Sequence, residues 1–302
     1  MGWRILQITK ACKLSVKNSQ LCYEPLDDEA QKLNLPLEDI SVIILEHKQI
    51  ILNNTLIARL AQNDIVVFSC GEQHLPEAVF IPFHNHSRYA EIAWLQTQIS
   101  EPLKKRLWQD VVKAKINNQA SCLDECGRDN KDKLREISKQ VQSGDVKNSE
   151  AFAANLYWKS MFSDFNRHDE ADIRNAALNY GYAIVRGAMA RAVVGAGLLP
   201  CFGIHHANKL NQFNLVDDLI EPLRPFVDYI VFNMDLSNVS ALTTLHKNKL
   251  ISVLTHSVIS EGEEISLIKM MEYEAQSVVK CFRDKDAKQL KLPLFKKIPL
   301  FD

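Results

Sequence analysis

The chain has 302 residues, 46% of them hydrophobic and 24% charged, with 36 Lys and Arg against 37 Asp and Glu. That length points to about two domains, and the composition to a globular protein that completes its own core. The charge balance excludes a chain that is basic throughout, so any contact with nucleic acid must come from a local patch. Seven cysteines without framework spacing, and no charged segment followed by an apolar run at the start, point to a reduced, cytoplasmic setting. The most apolar window, residues 183–199, carries Arg186 and Arg191, which argues against a membrane span.

Residues 3–83 hold short apolar and β-branched runs, WRILQIT, KLSV, QLCY, SVIILE, QIIL, DIVVFSC and AVFIPF, that predict strands. Lys17-Asn18-Ser19 reads as a hairpin turn, and LIARLAQ, residues 56–62, as one short helix. From Tyr89 the period changes. Ile92, Leu95, Ile99, Leu103 and Leu107 recur at helical spacing, with Pro102 kinking the helix or splitting it in two. Further helices are predicted over residues 131–142, 149–162, 172–194, 213–221 and 264–284. The polar stretch 117–133 reads as a loop, and the tail from Lys285, with Pro293 and Pro299, as extended or loose chain. The fold class is therefore α+β: a small N-terminal β domain, residues 1–87, joined near residues 84–90 to a larger all-α C-terminal domain, residues 88–302.

The segment FGIHHANKLNQFNLVDDLIEP, residues 202–222, gathers metal-loving side chains. His205 and His206 follow Gly203, and adjacent side chains point apart, so one of them at most faces a given site. Asp218 and Glu221, three apart, share one helical face, and Asp217 points elsewhere. Upstream, Glu150 lies in NSEAFAANLYW, where Asn148 or Ser149 can cap a helix and an acid in the first turn complements the helix dipole. Taken singly, each is an ordinary structural or solvated residue. Together, one imidazole and two or three carboxylates can hold a divalent cation with coordination positions open to substrate. Carboxylates favour Mg or Mn, whereas imidazole widens the choice to Zn or Fe.

In their order, SEAFAANLYW, RNAALNYGYAIVRGAMARAVVGAGLLP and GIHHANKLNQFNLVDDLIEPLRPFVD resemble the CRISPR-associated spacer integrase family, the larger protein of the adaptation complex, in the form found beside type II effectors. The resemblance covers nearly the whole chain. It implies a metal-dependent DNA endonuclease and integrase, active as a homodimer, with pairs of dimers bridged by a second, smaller adaptation protein. The N-terminal domain would then carry dimerisation and partner contacts, and the C-terminal domain the catalytic site. The implied reaction inserts foreign DNA spacers into a CRISPR array by transesterification, in defence against phages and plasmids. The 3′-hydroxyl of the spacer precursor attacks a phosphodiester at the repeat, one bond breaking as another forms. The implied cofactor is Mg2+ or Mn2+. Its ligands, which are also the catalytic residues, fall on Glu150, on His206 as the fourth residue of the G-x-x-H pattern from Gly203, and on Glu221 in DLIEP. Some relatives carry a further acid at the position of Asp218.

For DNA, Lys104, Lys105, Arg106, Lys113 and Lys115 lie in one predicted helical stretch and form either a phosphate track or a solvated face; Arg186, Arg191 and Arg224 lie near the candidate site in sequence. Other signals are set aside. FHNHSRY, residues 83–89, has the letters of an HNH nuclease without its ββα context, so His84 and His86 read as linker residues. Cys122 and Cys126 lack a second pair for zinc, and Gly195-Ala196-Gly197 follows a helix, as a C-terminus does. Two other functions fit the same residues: a Zn or Fe hydrolase of a small molecule, and a non-catalytic dimeric scaffold.

Overall fold

The structure is a computed structural model and describes residues 4–27, 31–72, 75–80, 86–260 and 262–296. Trp3 and residues 81–83, at the ends of two predicted strands, together with His84 and Pro299, lie outside the described residues. The chain divides into two compact units, Met1–His84 and Asn85–Asp302.

The first unit contains β1 (Arg4–Ile8), β2 (Cys12–Lys17), β3 (Gln20–Pro25), β4 (Leu33–Pro36), β5 (Ile40–Leu45), β6 (Ile50–Leu52), α1 (Asn54–Gln62), β7 (Val66–Cys70) and β8 (Pro76–Phe80). They form two four-stranded sheets, ordered β1-β5-β7-β8 and β4-β3-β2-β6. Strand β5 is buried along its whole length and runs parallel to β1 and β7, as its unbroken apolar run ISVIIL requires. The β2–β3 hairpin turns at Asn18 and Ser19, whose φ angles of 50° and 57° suit a tight turn that matches strand twist. Asn53 caps α1 by accepting from the Leu56 N–H at 2.8 Å, so the helix starts before the predicted Leu56. Leu14, Leu21, Ile43 and Leu56 meet in one core shared by strands of both sheets and α1. Four-residue β4, exposed and ending in proline, has too little pattern to be read from sequence.

The second unit contains α2 (Tyr89–Thr97), α3 (Glu101–Glu125), α4 (Lys131–Gln140), α5 (Ser149–Met161), α6 (Ile173–Gly195), α7 (Asn214–Leu219), α8 (Arg224–Phe232), α9 (Thr244–Ile251), β9 (Ser257–Ser260), β10 (Glu263–Ser266) and α10 (Leu267–Asp284). Pro102 splits the predicted helix by falling in the first turn of α3, where its missing N–H costs no helical bond. The expected loop 117–133 is corrected: α3 continues to Glu125, because Asn118, Ala120, Cys122 and Leu123 form a buried face among polar letters. Among the described residues of the second unit, the β9–β10 hairpin interrupts the helices, so the helix predicted from 264 begins instead at Leu267. Helix α6 is buried nearly all round and so forms the centre of this unit. A Cβ on Gly181 would lie 2.4 Å from Val227 Cγ1, so only glycine lets α6 and α8 approach this closely. No helix among the described residues is long and apolar enough to cross a membrane.

Candidate active site

Helix α3 is the platform. Trp108, Lys115 and Asn118 project from its buried face at spacings of seven and three residues, and each holds one of the chain segments singled out above.

The histidine loop rests on Trp108. The His205 ring stacks on the indole at 4.2 Å between centroids, and the His206 ring meets it edge-on at 5.8 Å. Fully buried Asp218 clamps the loop: its carboxylate accepts the backbone N–H groups of Ile204 (2.6 Å), His205 (3.0 Å) and His206 (3.1 Å), and bonds His206 Nδ1 at 2.6 Å. A Cβ on Gly203 would lie 2.3 Å from the His206 carbonyl and 2.7 Å from Asp218 Oδ2, so the G-x-x-H spacing needs glycine for this fold-back. Buried Gln96 ties down the upstream end, accepting from Leu199 N at 2.8 Å and donating to Phe202 O at 2.8 Å. With Nδ1 engaged, Nε2 is the ring nitrogen left to a ligand. The Asp218 hydrogen bond raises the His206 pKa, against burial, with help from the charges of Asp218 and Glu221. Asp217 points away, as expected, and pairs with Arg186 at 2.6 Å.

Glu150 sits in the first turn of α5. Asp145, rather than Asn148 or Ser149, caps that helix, accepting the N–H groups of Ser149 (2.8 Å) and Glu150 (2.9 Å). Glu221 does not continue α7, which ends at Leu219; it opens a 3-10 turn that contains Pro222. Asp218 and Glu221 therefore serve different partners.

Both Glu150 and Glu221 converge on Lys115. Its Nζ is 2.5 Å from Glu150 Oε1 and ion-pairs with Glu221 Oε2, while Arg224 Nε donates to Glu221 Oε1 at 2.9 Å. Burial disfavours the Lys115 ammonium, but Glu221 and Glu150 outweigh it and raise its pKa. For Glu221, burial would raise the carboxyl pKa; Lys115 and Arg224 reverse this and lower it from 4.5 to about 2. A carboxyl depressed on folding stabilises above its unfolded pKa, so this contribution is present above about pH 4.5 and fades as pH falls toward 2. Arg224 in turn lies over the Tyr182 ring at 4.7 Å, and Tyr182 and Tyr157 both donate to Asp228. Burial raises Asp228 to about 7 despite those two hydrogen bonds.

Glu150 and Glu221 thus meet at one ammonium, and His206 lies within electrostatic reach of Glu221. Among the described residues, no three His, Cys, Asp or Glu side chains converge tightly enough to hold one ion; Lys115 stands between the two acids instead. The cation assignments are corrected accordingly. Lys115 is buried in these ion pairs, Arg191 is buried against Glu272, and Arg186 and Arg224 are paired with acids, so none of them is a free phosphate track. Lys105 and Arg106 are exposed, and Lys104 lines an open cavity of about 430 Å³ beside His206, together with Lys209, Phe202 and Asn214. Sequence reasoning missed Trp108, Lys115 and Asp145 as parts of the site, since no local pattern sets them apart from their neighbours along the chain.

Asn118 ties this turn to the tail. Its Nδ2 donates to the carbonyls of Pro222 (2.8 Å) and Pro293 (2.9 Å), and its Oδ1 accepts from Phe295 N at 3.0 Å. Asn118→Ala orphans those buried backbone groups and is expected to cost about 2–3 kcal/mol. Urea denaturation checks this, with a cost under about 0.5 kcal/mol counting against the clamp.

The fold is shared with chains of known structure. A casposase bound to integration product superimposes with a TM-score of 0.75 at 18% identity, covering 100% of this chain and 95% of that one. A Cas1 protein from Thermotoga maritima gives 0.69 at 17% identity over 97% and 99% of the two chains. The family described as CRISPR associated protein Cas1 matches residues 6–255, and a CRISPR-associated endonuclease Cas1 from Neisseria meningitidis is 41% identical over 97% of this chain and 96% of its own length. A second, from Francisella tularensis subsp. novicida, is 23% identical over 84% and 87%. The chain belongs to the Cas1 family.

Proposed function

We propose that the chain is a divalent-metal-dependent DNA endonuclease and integrase that inserts short foreign DNA segments into a CRISPR array. The observation that carries this reading is the convergence of Glu150 and Glu221 on a single cation beside an imidazole whose Nδ1 is already engaged. The relative at 41% identity is named an endonuclease, and the fold is that of a casposase bound to an integration product. The donor set fits Mg2+ or Mn2+: two carboxylates from separate segments already face one positive charge, and Nε2 of His206 is the free ring nitrogen.

Glu150, Glu221 and His206 would hold the ion. When bound, it supplies Lewis-acid stabilisation of charge on the phosphoryl oxygens. Asp218 orients the imidazole, and Trp108 supports the loop beneath it. Lys115 and Arg224 keep Glu221 ionised. The cavity beside His206, with Lys104 and Lys209 on its wall, gives a DNA phosphate an electrostatic approach without reading bases. In this reading the protein works as a homodimer with a smaller adaptation protein; for the latter, the support is that a chain of a solved Cas6-RT-Cas1–Cas2 complex shares this fold over 36% of its own length (TM-score 0.70, 15% identity).

The test is half-site integration of a labelled duplex into a repeat-containing plasmid with the smaller protein present. Product is expected with Mg2+ or Mn2+ and not in EDTA. Product in EDTA would contradict the metal assignment, and activity confined to Zn2+ or Fe2+ on small esters would favour the hydrolase reading.

A further inference from the structure

We infer that Lys115 is a tethered cation that holds the place of the divalent ion, keeping Glu150 and Glu221 assembled in the free protein and withdrawing when the ion enters. The inference rests on the metal-dependent reading above.

Two acids from separate elements, the start of α5 and the turn after α7, would repel each other across the site if nothing positive stood between them. The Lys115 ammonium stands there, 7% exposed, within 2.5 Å of Glu150 and ion-paired with Glu221. A lysine suits a removable placeholder. Its compact charge sits on a flexible four-carbon stem, whereas a guanidinium would lock both acids in a planar fork.

The neighbouring cation behaves differently. Arg224 is anchored over the Tyr182 ring as well as to Glu221, so it can remain when the ion arrives. Among the described residues, the Lys115 ammonium is held by the two acids alone. No other described side chain retains Lys115 once a dication claims those carboxylates. The arrangement also accounts for the lack of a three-ligand cluster among the described residues: the acids are drawn in to an ammonium rather than spread for an ion that His206 shares.

A site that is open only part of the time shows an affinity reduced by the open fraction. Lys115 is then a positioning residue that opposes metal binding, the reverse of what a purely structural lysine does. A structural role predicts weaker binding when it is removed, because the acids splay.

The experiment is Mn2+ titration of the full-length chain by electron paramagnetic resonance, without DNA, for the parent, Lys115→Met and Lys115→Gln. The variants are expected to bind Mn2+ about tenfold more tightly than the parent. They are also expected to melt at lower temperature in EDTA and to regain more of that loss with Mn2+ than the parent gains. Binding no tighter than the parent overturns the inference alone, and no Mn2+ binding by any of the three overturns the metal reading with it. Should neither variant fold, amine acylation of the parent read residue by residue decides. Lys115 is expected to react faster in Mg2+ than in EDTA, and equal rates overturn the inference.

Discussion

Glu221→Gln is expected to abolish integration and to destabilise the protein, whereas Glu150→Gln abolishes integration at little cost in stability. Loss of either direct ligand should lower activity by about a hundredfold or more, since even supporting residues of metal sites are worth about 10–100-fold. The stability effects separate because the two acids are buried unequally. The Glu221 side chain is 8% exposed and neutralises both Lys115 and Arg224; Glu150 is 28% exposed and answers to Lys115 alone. Removing Glu221 leaves a buried ammonium short of its counter-charge, a change worth roughly 3–5 kcal/mol, while Lys115 keeps Glu221 when Glu150 is neutralised and the loss should be about 1 kcal/mol. Urea denaturation beside the integration assay measures both quantities. Equal destabilisation by the two substitutions would show that Glu221 is not the anchored member of the pair.

Asp218→Asn should disable the site from a position that faces no ligand. The carboxylate is fully buried, and its oxygens are taken up by three backbone N–H groups and His206 Nδ1. An amide in its place turns a donor toward donors. The expected cost is about 3 kcal/mol, from loss of charge-assisted hydrogen bonds, and metal affinity should fall by roughly 10–100-fold. The same change has a spectroscopic signature. Asp218 raises the His206 pKa on folding, so its stabilising effect is complete below the ordinary value of 6.5 and fades as pH rises through the folded value. Removing the carboxylate should lower the His206 pKa measured by NMR in metal-free protein. An unchanged pKa would mean the Asp218–His206 bond does not form in solution.

Much of the fold was legible because period and punctuation carried it. The unbroken run of β5, the Asn18-Ser19 turn and the long apolar, alanine-rich run of α6 each state their structure locally. What was missed depends on tertiary partners. Residues 117–125 look like a loop until Asn118 finds the Pro222 and Pro293 carbonyls, and α8 follows so closely on Pro222 that its start is hidden by the turn. The candidate site divides the same way. Glu150, His206 and Glu221 could be named from residue type and family resemblance, and the glycine of the GIHH segment has a local steric reason. Lys115 could not be told from its basic neighbours. Lys105 and Arg106 on the same helix are exposed, and only the rotation of α3 about its axis, set by Trp108 and Leu107 against the core, turns Lys115 toward the acids. Asp218 is a further case: spacing paired it with Glu221 on one face, and the end of α7 at Leu219 separates their roles.

The most direct measurement is anomalous diffraction from crystals of the full-length protein soaked in Mn2+. The expected map shows one ion bonded to Glu150, Glu221 and Nε2 of His206, with the Lys115 ammonium withdrawn and Asp218 still closed on the histidine loop. An ion bound at other side chains, or Lys115 still lodged between the two acids at saturating Mn2+, would contradict it.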